Sequence, residues 1–347
     1  MAGILFIVSG GAAYAGTQLL SPDVAFDRNT PPSTERVTRP VRPALDRHAY
    51  DAAMLRNANL APSLTASTSA SSTEPRLWPV RAPYPLGGAL LPFNRIIAYY
   101  GNFLSTRMGV LGEYPKAEML AKLRATMAEW EAADPSTPVI PAIDYIAITA
   151  QAAPGKDGMY RLRMPDSETQ KALDIAKEID GIVILEVQIG KSTLRDELPL
   201  LRDFFKQPQV HLALDPEFAM KTSAPGTVIG GFDAKDVNYA ANYLAALVDE
   251  YDLPPKLLIV HRFTKDMITH SADIKPLPQV QIIMDMDGWG GRERKLTTYQ
   301  KVIHEEPVQF TGFKLFYKND LFAPSTGMMT PAQVLKLSPQ PLFIQYQ

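Results

Sequence analysis

The stretch His211-Leu-Ala-Leu-Asp-Pro-Glu-Phe-Ala-Met220 begins as an apolar run of strand length and ends in two carboxylates. Side chains two apart on a strand point to the same side. Asp215 and Glu217 are therefore expected to project together from the strand's carboxyl end. Working outward, short apolar runs of the same kind occur at Arg95–Tyr100, Val139–Tyr145, Gly181–Val187, Lys256–Arg262, Val280–Met286, Phe310–Tyr317 and Pro341–Tyr346. With 210–215 they make eight candidate strands.

Helical patterns fall between the runs. Pro115–Ala133 opens on a proline suited to a helix start and carries Met119, Leu120, Leu123, Met127 and Trp130 at helical spacing. Asp166 to about Ile179, Thr193–Phe205 and a helix capped by Asp233 and running to about Tyr251 follow the same logic. Tyr299–Glu305 and Thr330–Leu337 are shorter candidates, and Thr264–Met267 has room only for a short turn of helix. Strand–helix alternation over roughly 250 residues predicts an α/β fold, a (β/α)8 TIM barrel. An open doubly wound sheet is the competitor. It wants a Gly-rich phosphate loop after its first strand, and Tyr100-Gly-Asn-Phe103 is not one. No eighth helix follows the last strand, and the N-terminal arm is expected to cover that gap.

The division expected is 1–20 as a signal peptide or N-terminal anchor, 21–93 as a Pro/Ser/Thr-rich arm or linker, and 94–347 as the barrel. Residues 2–15 are apolar, and Ala13-Tyr14-Ala15 fits a small-x-small cleavage site. An exported, periplasmic, envelope or extracellular location follows. Membrane attachment through residues 2–20 is expected only if the segment is not cleaved, and a plain buried segment is the third reading. The patch Pro62-Ser-Leu-Thr-Ala-Ser-Thr-Ser-Ala-Ser-Ser-Thr73 cannot bury enough apolar surface to offset its ordering entropy. His48–Leu60 reads as one helix, and Trp78, Tyr84 and Leu86–Leu91 as points that tack the arm to the barrel.

Across 347 residues the formal net charge is −2, which gives no electrostatic case for nucleic acid. There is no cysteine, so disulfides, thiolate chemistry and a lipoprotein anchor are excluded. No cofactor motif is present.

In a (β/α)8 barrel the site lies at the carboxyl ends of the strands. Delivered there in chain order are Tyr100 and Asn102; Asp144 and Tyr145; Glu186 and Gln188; Asp215 and Glu217; His261 and Arg262; Asp285, Asp287 and Trp289; Lys314 and Tyr317; and Gln345. Glu186 and Gln188 share a side with Ile182 and Ile184, Asp285 and Asp287 with Ile283, and Asp144 with Ala142 and Ile140. The acids thus cap apolar columns that point inward, and like charges crowded there raise one another's pKa.

Paired carboxylates beside aromatic residues fit glycoside hydrolysis of an envelope or extracellular polysaccharide. Glu217 is the expected proton donor, with Asp215, Asp285 and Asp287 competing for the second role and Glu186 as a further catalytic candidate. Tyr100, Tyr145, Trp289 and Tyr317 are expected to form sugar-stacking walls. Two other classes stay open. One is a metal-dependent hydrolase using Asp144, Asp215, Asp285, Asp287 and His261, although no HxH pair or HExxH motif is present. The other is a non-catalytic polysaccharide-binding barrel. Plainer roles also stand beside each residue: Asp215 capping a turn, Glu186 paired with Arg262 or Lys314, Asp287-Gly288 as a turn and His261 as a satisfied core histidine.

The Asp215-Pro-Glu217 spacing resembles the DxE pattern of family 25 glycoside hydrolases, the barrel lysozymes. That resemblance implies Glu217 as acid and Asp215 as its partner. The family also has an Asp on its first strand, where this chain has Ala98-Tyr-Tyr100. The family 18 signature DxxDxDxE is not found. Over residues 95–347 the chain is also similar to a group of uncharacterised bacterial exported proteins, some described as lipoprotein-like. The similar strings are Tyr99-Tyr-Gly-Asn102, Met108-Gly-Val-Leu-Gly-Glu-Tyr114, Leu212-Ala-Leu-Asp-Pro-Glu-Phe218 and Gly312-Phe-Lys-Leu-Phe-Tyr317. This resemblance implies a barrel and an envelope location.

Overall fold

A computed structural model of the chain describes residues 42–60 and 77–347. The expected signal segment, and the stretches 21–41 and 61–76 of the expected arm, lie outside the described residues. Among those described, no helix is long and apolar enough to cross a membrane.

Eight parallel strands close into a barrel. They are β1 Arg95–Gly101, β2 Val139–Ala150, β3 Ile182–Val187, β4 Val210–Leu214, β5 Lys256–Arg262, β6 Val280–Met286, β7 Phe310–Leu315 and β8 Phe343–Tyr346. Neighbours in the chain are neighbours in the sheet, and β8 returns to pair with β1 at Ile96↔Phe343. Every expected strand is present. β2 runs past its expected end at Tyr145 because its extension pairs with the antiparallel strand Arg161–Arg163.

Parallel strands buried on both faces read as unbroken apolar runs, so parity decides which residues enter the barrel. Ile96, Ala98, Ala142, Ile184, Ala213, Ile259, Ile283 and Phe343 pack together inside. Their alternates, such as Ile97, Ile143, Leu185, Leu212, Val260 and Met284, join the layer under the helices. Each Ile, Leu, Val, Met or Phe so buried contributes about 1.5–3 kcal/mol.

The outer layer is less regular than the strands. The expected long helices are found as α2 Lys116–Ala133, α3 Asp166–Lys177 and α4 Ala234–Tyr251. Asp233 caps α4 through a reciprocal box with Asp236. The expected Thr193–Phe205 helix is broken into Leu194–Glu197, a 3-10 turn Leu198–Leu201 and Arg202–Phe205. Pro199, which lacks an N–H, sits in the turn. After β5 only the 3-10 turn Lys265–Met267 forms, and α5 Arg292–Thr298 continues as a π turn, Tyr299–His304.

The described part of the arm corrects two expectations. Helix α1, Arg47–Ala58, does not stand in for an eighth outer helix. Its Tyr50 and Met54 pack with Leu91 against the interior residues of the barrel. The Gln281 side chain, inward on β6, accepts from the N–H groups of Leu90 and Leu91 (3.0 and 3.1 Å) and donates to the Leu91 carbonyl (2.6 Å). Residues 77–93 and α1 thus close the amino-terminal end of the barrel, and the compact unit reaches back well before residue 94. The gap beside β8 is filled from α2 instead: Trp130 donates to the Tyr346 hydroxyl, and Tyr346 stacks on Tyr317.

Candidate active site

The carboxyl ends of the strands carry two polar storeys. The lower one is fully buried. His261 at the end of β5 lies between two carboxylates, with Nδ1 3.0 Å from Asp285 and Nε2 3.0 Å from Glu186. Tyr100 and the Gln188 amide donate to the other Glu186 oxygen at 3.1 and 2.8 Å. Gln345 donates to Asp144 at 2.6 Å. Asp285 fits because β7 has glycine opposite it: a Cβ on Gly312 would collide with the Asp285 Oδ1.

The upper storey lines a cavity of about 350 Å³. Asp215, Glu217, Asp287, Gln188, Tyr100 and Lys314 face it, with Trp289 at its rim. Asp215 and Glu217 meet there by a different route from strand parity. β4 ends at Leu214, and Asp215 caps the 3-10 turn Pro216–Phe218 by accepting the Glu217 N–H at 3.1 Å. The capping role and the cavity position therefore coexist. The second Asp215 oxygen accepts from Gln188 at 3.1 Å. Asp287 keeps one buried oxygen without a protein partner among the described residues.

Several expected residues do not reach the cavity. Glu186, Asp285, Asp144, Gln345 and His261 lie beneath its floor. Glu186 is held by His261 rather than by Arg262, which faces outward and donates to the Lys265 carbonyl and Glu306. Tyr145 and Tyr317 share parity with Ile143 and Leu315 and pack outward, Tyr145 on Phe103 and Tyr317 against Tyr99 and Tyr346. Asn102 folds back beyond β1 to donate to the Ile146 carbonyl. The cavity in turn includes Phe218, Phe263, Phe316, Arg107 and Arg294, none singled out from the sequence. Phe263 and Phe316 lie two residues beyond inward His261 and Lys314, so parity was the signal for them. Arg107 comes from a loop and Arg294 from the first turn of α5, and strand parity reads neither.

Burial dominates the electrostatics. It raises the Glu217 carboxyl above its ordinary value, against the opposing fields of Lys314 and His261. Burial and the Glu186 charge push Asp144 up to about 8 and Asp215 well above the carboxylate range. Asp287 rises to about 6, again chiefly by burial. Glu186 is the exception. Burial works against its ionisation, but the His261 charge and hydrogen bond hold its pKa down. Burial likewise opposes the charged form of His261, and the bonds to Asp285 and Glu186 outweigh it and raise its pKa well above 6.5. The lower storey thus favours a protonated His261 beside an ionised Glu186.

Among the described residues, no group of three or more His, Asp or Glu side chains is arranged to hold a metal ion. Both His261 nitrogens are already engaged.

The Asp144 shift has a testable consequence. Its folded pKa, about 8, lies above the ordinary 3.8, so its stabilising contribution is complete below pH 3.8 and is lost as pH rises through about 8. His211, kept neutral by burial, and Lys256, lowered by burial to about 7, act in the opposite sense, so a difference between variants reads the Asp144 contribution more cleanly than an absolute curve. Asp144→Asn should melt near the wild type at about pH 5 and gain on it by several degrees by about pH 8.5. Melting curves across that range check this, and a pH-independent offset would overturn it.

No family model and no curated protein matches the chain. Among solved structures, the 7,8-dihydropteroate synthase from Vibrio fischeri ES114 is similar at 8% identity and a TM-score of 0.34, over 74% of this chain and 88% of that one.

Proposed function

We propose that the cavity hydrolyses O-glycosidic bonds of an envelope or extracellular polysaccharide by carboxylate chemistry, with residues 2–20 acting as the export signal. One observation carries the proposal: Glu217, a half-buried acid whose pKa is raised by burial, opens onto a cavity it shares with Asp215 and Asp287 under the Trp289 rim. A carboxyl that burial makes hold its proton more tightly, open to a cavity beside other acids, is suited to the general-acid role. Glu217 donates its proton to the leaving oxygen as the C–O bond breaks. Asp287, which lines the same cavity and accepts no hydrogen bond among the described residues, attacks the sugar carbon or activates the water that does. Asp215, whose two oxygens are already engaged, fixes the turn that carries Glu217. Trp289 is 45% exposed and offers its face to a sugar ring.

The test is release of new reducing ends from peptidoglycan, chitin, cellulose and uronate-rich glycans. The wild type should cleave at least one. Glu217→Gln should slow that cleavage by roughly 100-fold or more while leaving the melting temperature close to wild type. Failure to cleave any of them, or undiminished cleavage by Glu217→Gln, would overturn the proposal.

A further inference from the structure

Lys314 is the one lysine among the described residues that line the cavity, and it is only 5% exposed. Its Nζ sits 3.9 Å from the centre of the Tyr100 ring and 5.2 Å from that of Phe316. Among the described residues it makes no hydrogen bond, and no carboxylate oxygen comes within 4.0 Å of it. That isolation is unusual here. The other two buried lysines among the described residues are satisfied: Lys295 by two carbonyls and Asp320, and Lys256 by the carbonyls of Gln207 and Val210. An ammonium has three donors and no acceptor, and leaving them unanswered in a desolvated site is costly. The Tyr100 face offsets part of that cost, but it accepts no conventional hydrogen bond.

We propose that Lys314 binds a carboxylate on the substrate, so that the sugar held in the cavity is a uronate or another acidic sugar. This rests on the glycosidase reading and specifies its substrate class. Charge selects a carboxylate over a phosphate. The single ammonium shares the cavity with Asp287, whose pKa of about 6 leaves it charged at neutral pH, and a dianion placed beside that carboxylate is repelled more than a monoanion. The two arginines of the cavity, Arg107 and Arg294, add positive charge, and Arg294 is stacked 5.2 Å from the centre of the Trp289 ring. A sugar lying on Trp289 would thus have its acidic substituent directed to Lys314 and its glycosidic oxygen to the acids.

Binding is measured by calorimetry and by chemical-shift changes in the Glu217→Gln protein, so that turnover does not enter. The probes are glucuronate, methyl glucoside and inorganic phosphate. Glucuronate should bind roughly tenfold or more tightly than methyl glucoside. Adding Lys314→Met should remove that advantage and leave methyl glucoside unchanged. Lys314→Gln serves the same purpose if the methionine variant melts early. Equal affinities for the two sugars, no binding of glucuronate, or tighter binding of phosphate would each overturn the proposal. The two readings also fail separately. Lys314-dependent glucuronate binding with no glycan cleaved removes only the glycosidase, whereas cleavage confined to neutral glycans removes only the acidic substrate.

Discussion

His261→Leu is expected to destabilise the fold by about 3–5 kcal/mol, because it removes one partner from a fully buried charge bridge. The leucine would leave Glu186 with only Tyr100 and Gln188, and Asp285 with no hydrogen-bonded side-chain partner among the described residues. Both carboxylates are 0% exposed, so water cannot replace the imidazolium. The cost comes from stranding two charges rather than from losing attraction alone. Neutralising them in the same chain, as His261→Leu with Glu186→Gln and Asp285→Asn, should recover part of the loss, since removing a whole buried network costs less than breaking it. Urea unfolding of the single and triple variants measures both. A single variant within about 1 kcal/mol of wild type would show that the bridge does not hold the floor.

Lys295→Met is expected to cost a similar amount, about 3–5 kcal/mol, one storey higher. Lys295 and Asp320 are each 1% exposed and 2.9 Å apart. The same ammonium donates to the carbonyls of Gly288 (3.0 Å) and Lys314 (2.7 Å), and Asp320 accepts from the N–H groups of Gly290 and Phe316. The pair therefore ties the loop that carries Trp289 to the strand that carries Lys314. Methionine has similar length but no donor, so the two carbonyls and the carboxylate lose their partner together. Iodide quenching of tryptophan emission should rise along with the loss of stability. Trp78 and Trp130 are buried, so the added quenching reads Trp289. Adding Asp320→Asn should restore part of the stability. Unchanged quenching would mean that the pair does not position the rim.

All eight strands were legible because parallel strands buried on both faces leave unbroken apolar runs, and Arg95–Gly101 or Val280–Met286 carry that signal without ambiguity. The inward direction of Asp144, Glu186, His261 and Asp285 followed from their parity with Ala142, Ile184, Ile259 and Ile283. Applied throughout, the same parity assigns Tyr145 and Tyr317 outward and Phe263 and Phe316 inward. Choosing aromatic residues by type rather than by register put the first two in the wrong place. Depth was not legible. Nothing in the local sequence separates Asp285, sealed under the floor, from Asp287, two residues on and lining the cavity. That difference is set by where neighbouring strands stop and by the space left at Gly312. The joint role of Asp215, as cap of the Pro216–Phe218 turn and as wall of the cavity, depended on seeing the strand end at Leu214.

The seal formed by α1 and Leu90–Leu91 at the amino-terminal end has a consequence for traffic. With that end plugged, the barrel is a well rather than a tunnel. A long chain cannot thread along its axis. A long ligand would have to lie across the opening and present one unit, or one end, to the cavity. Any ligand that binds there leaves by the way the next one arrives, so departure and arrival compete for the same doorway beside Trp289.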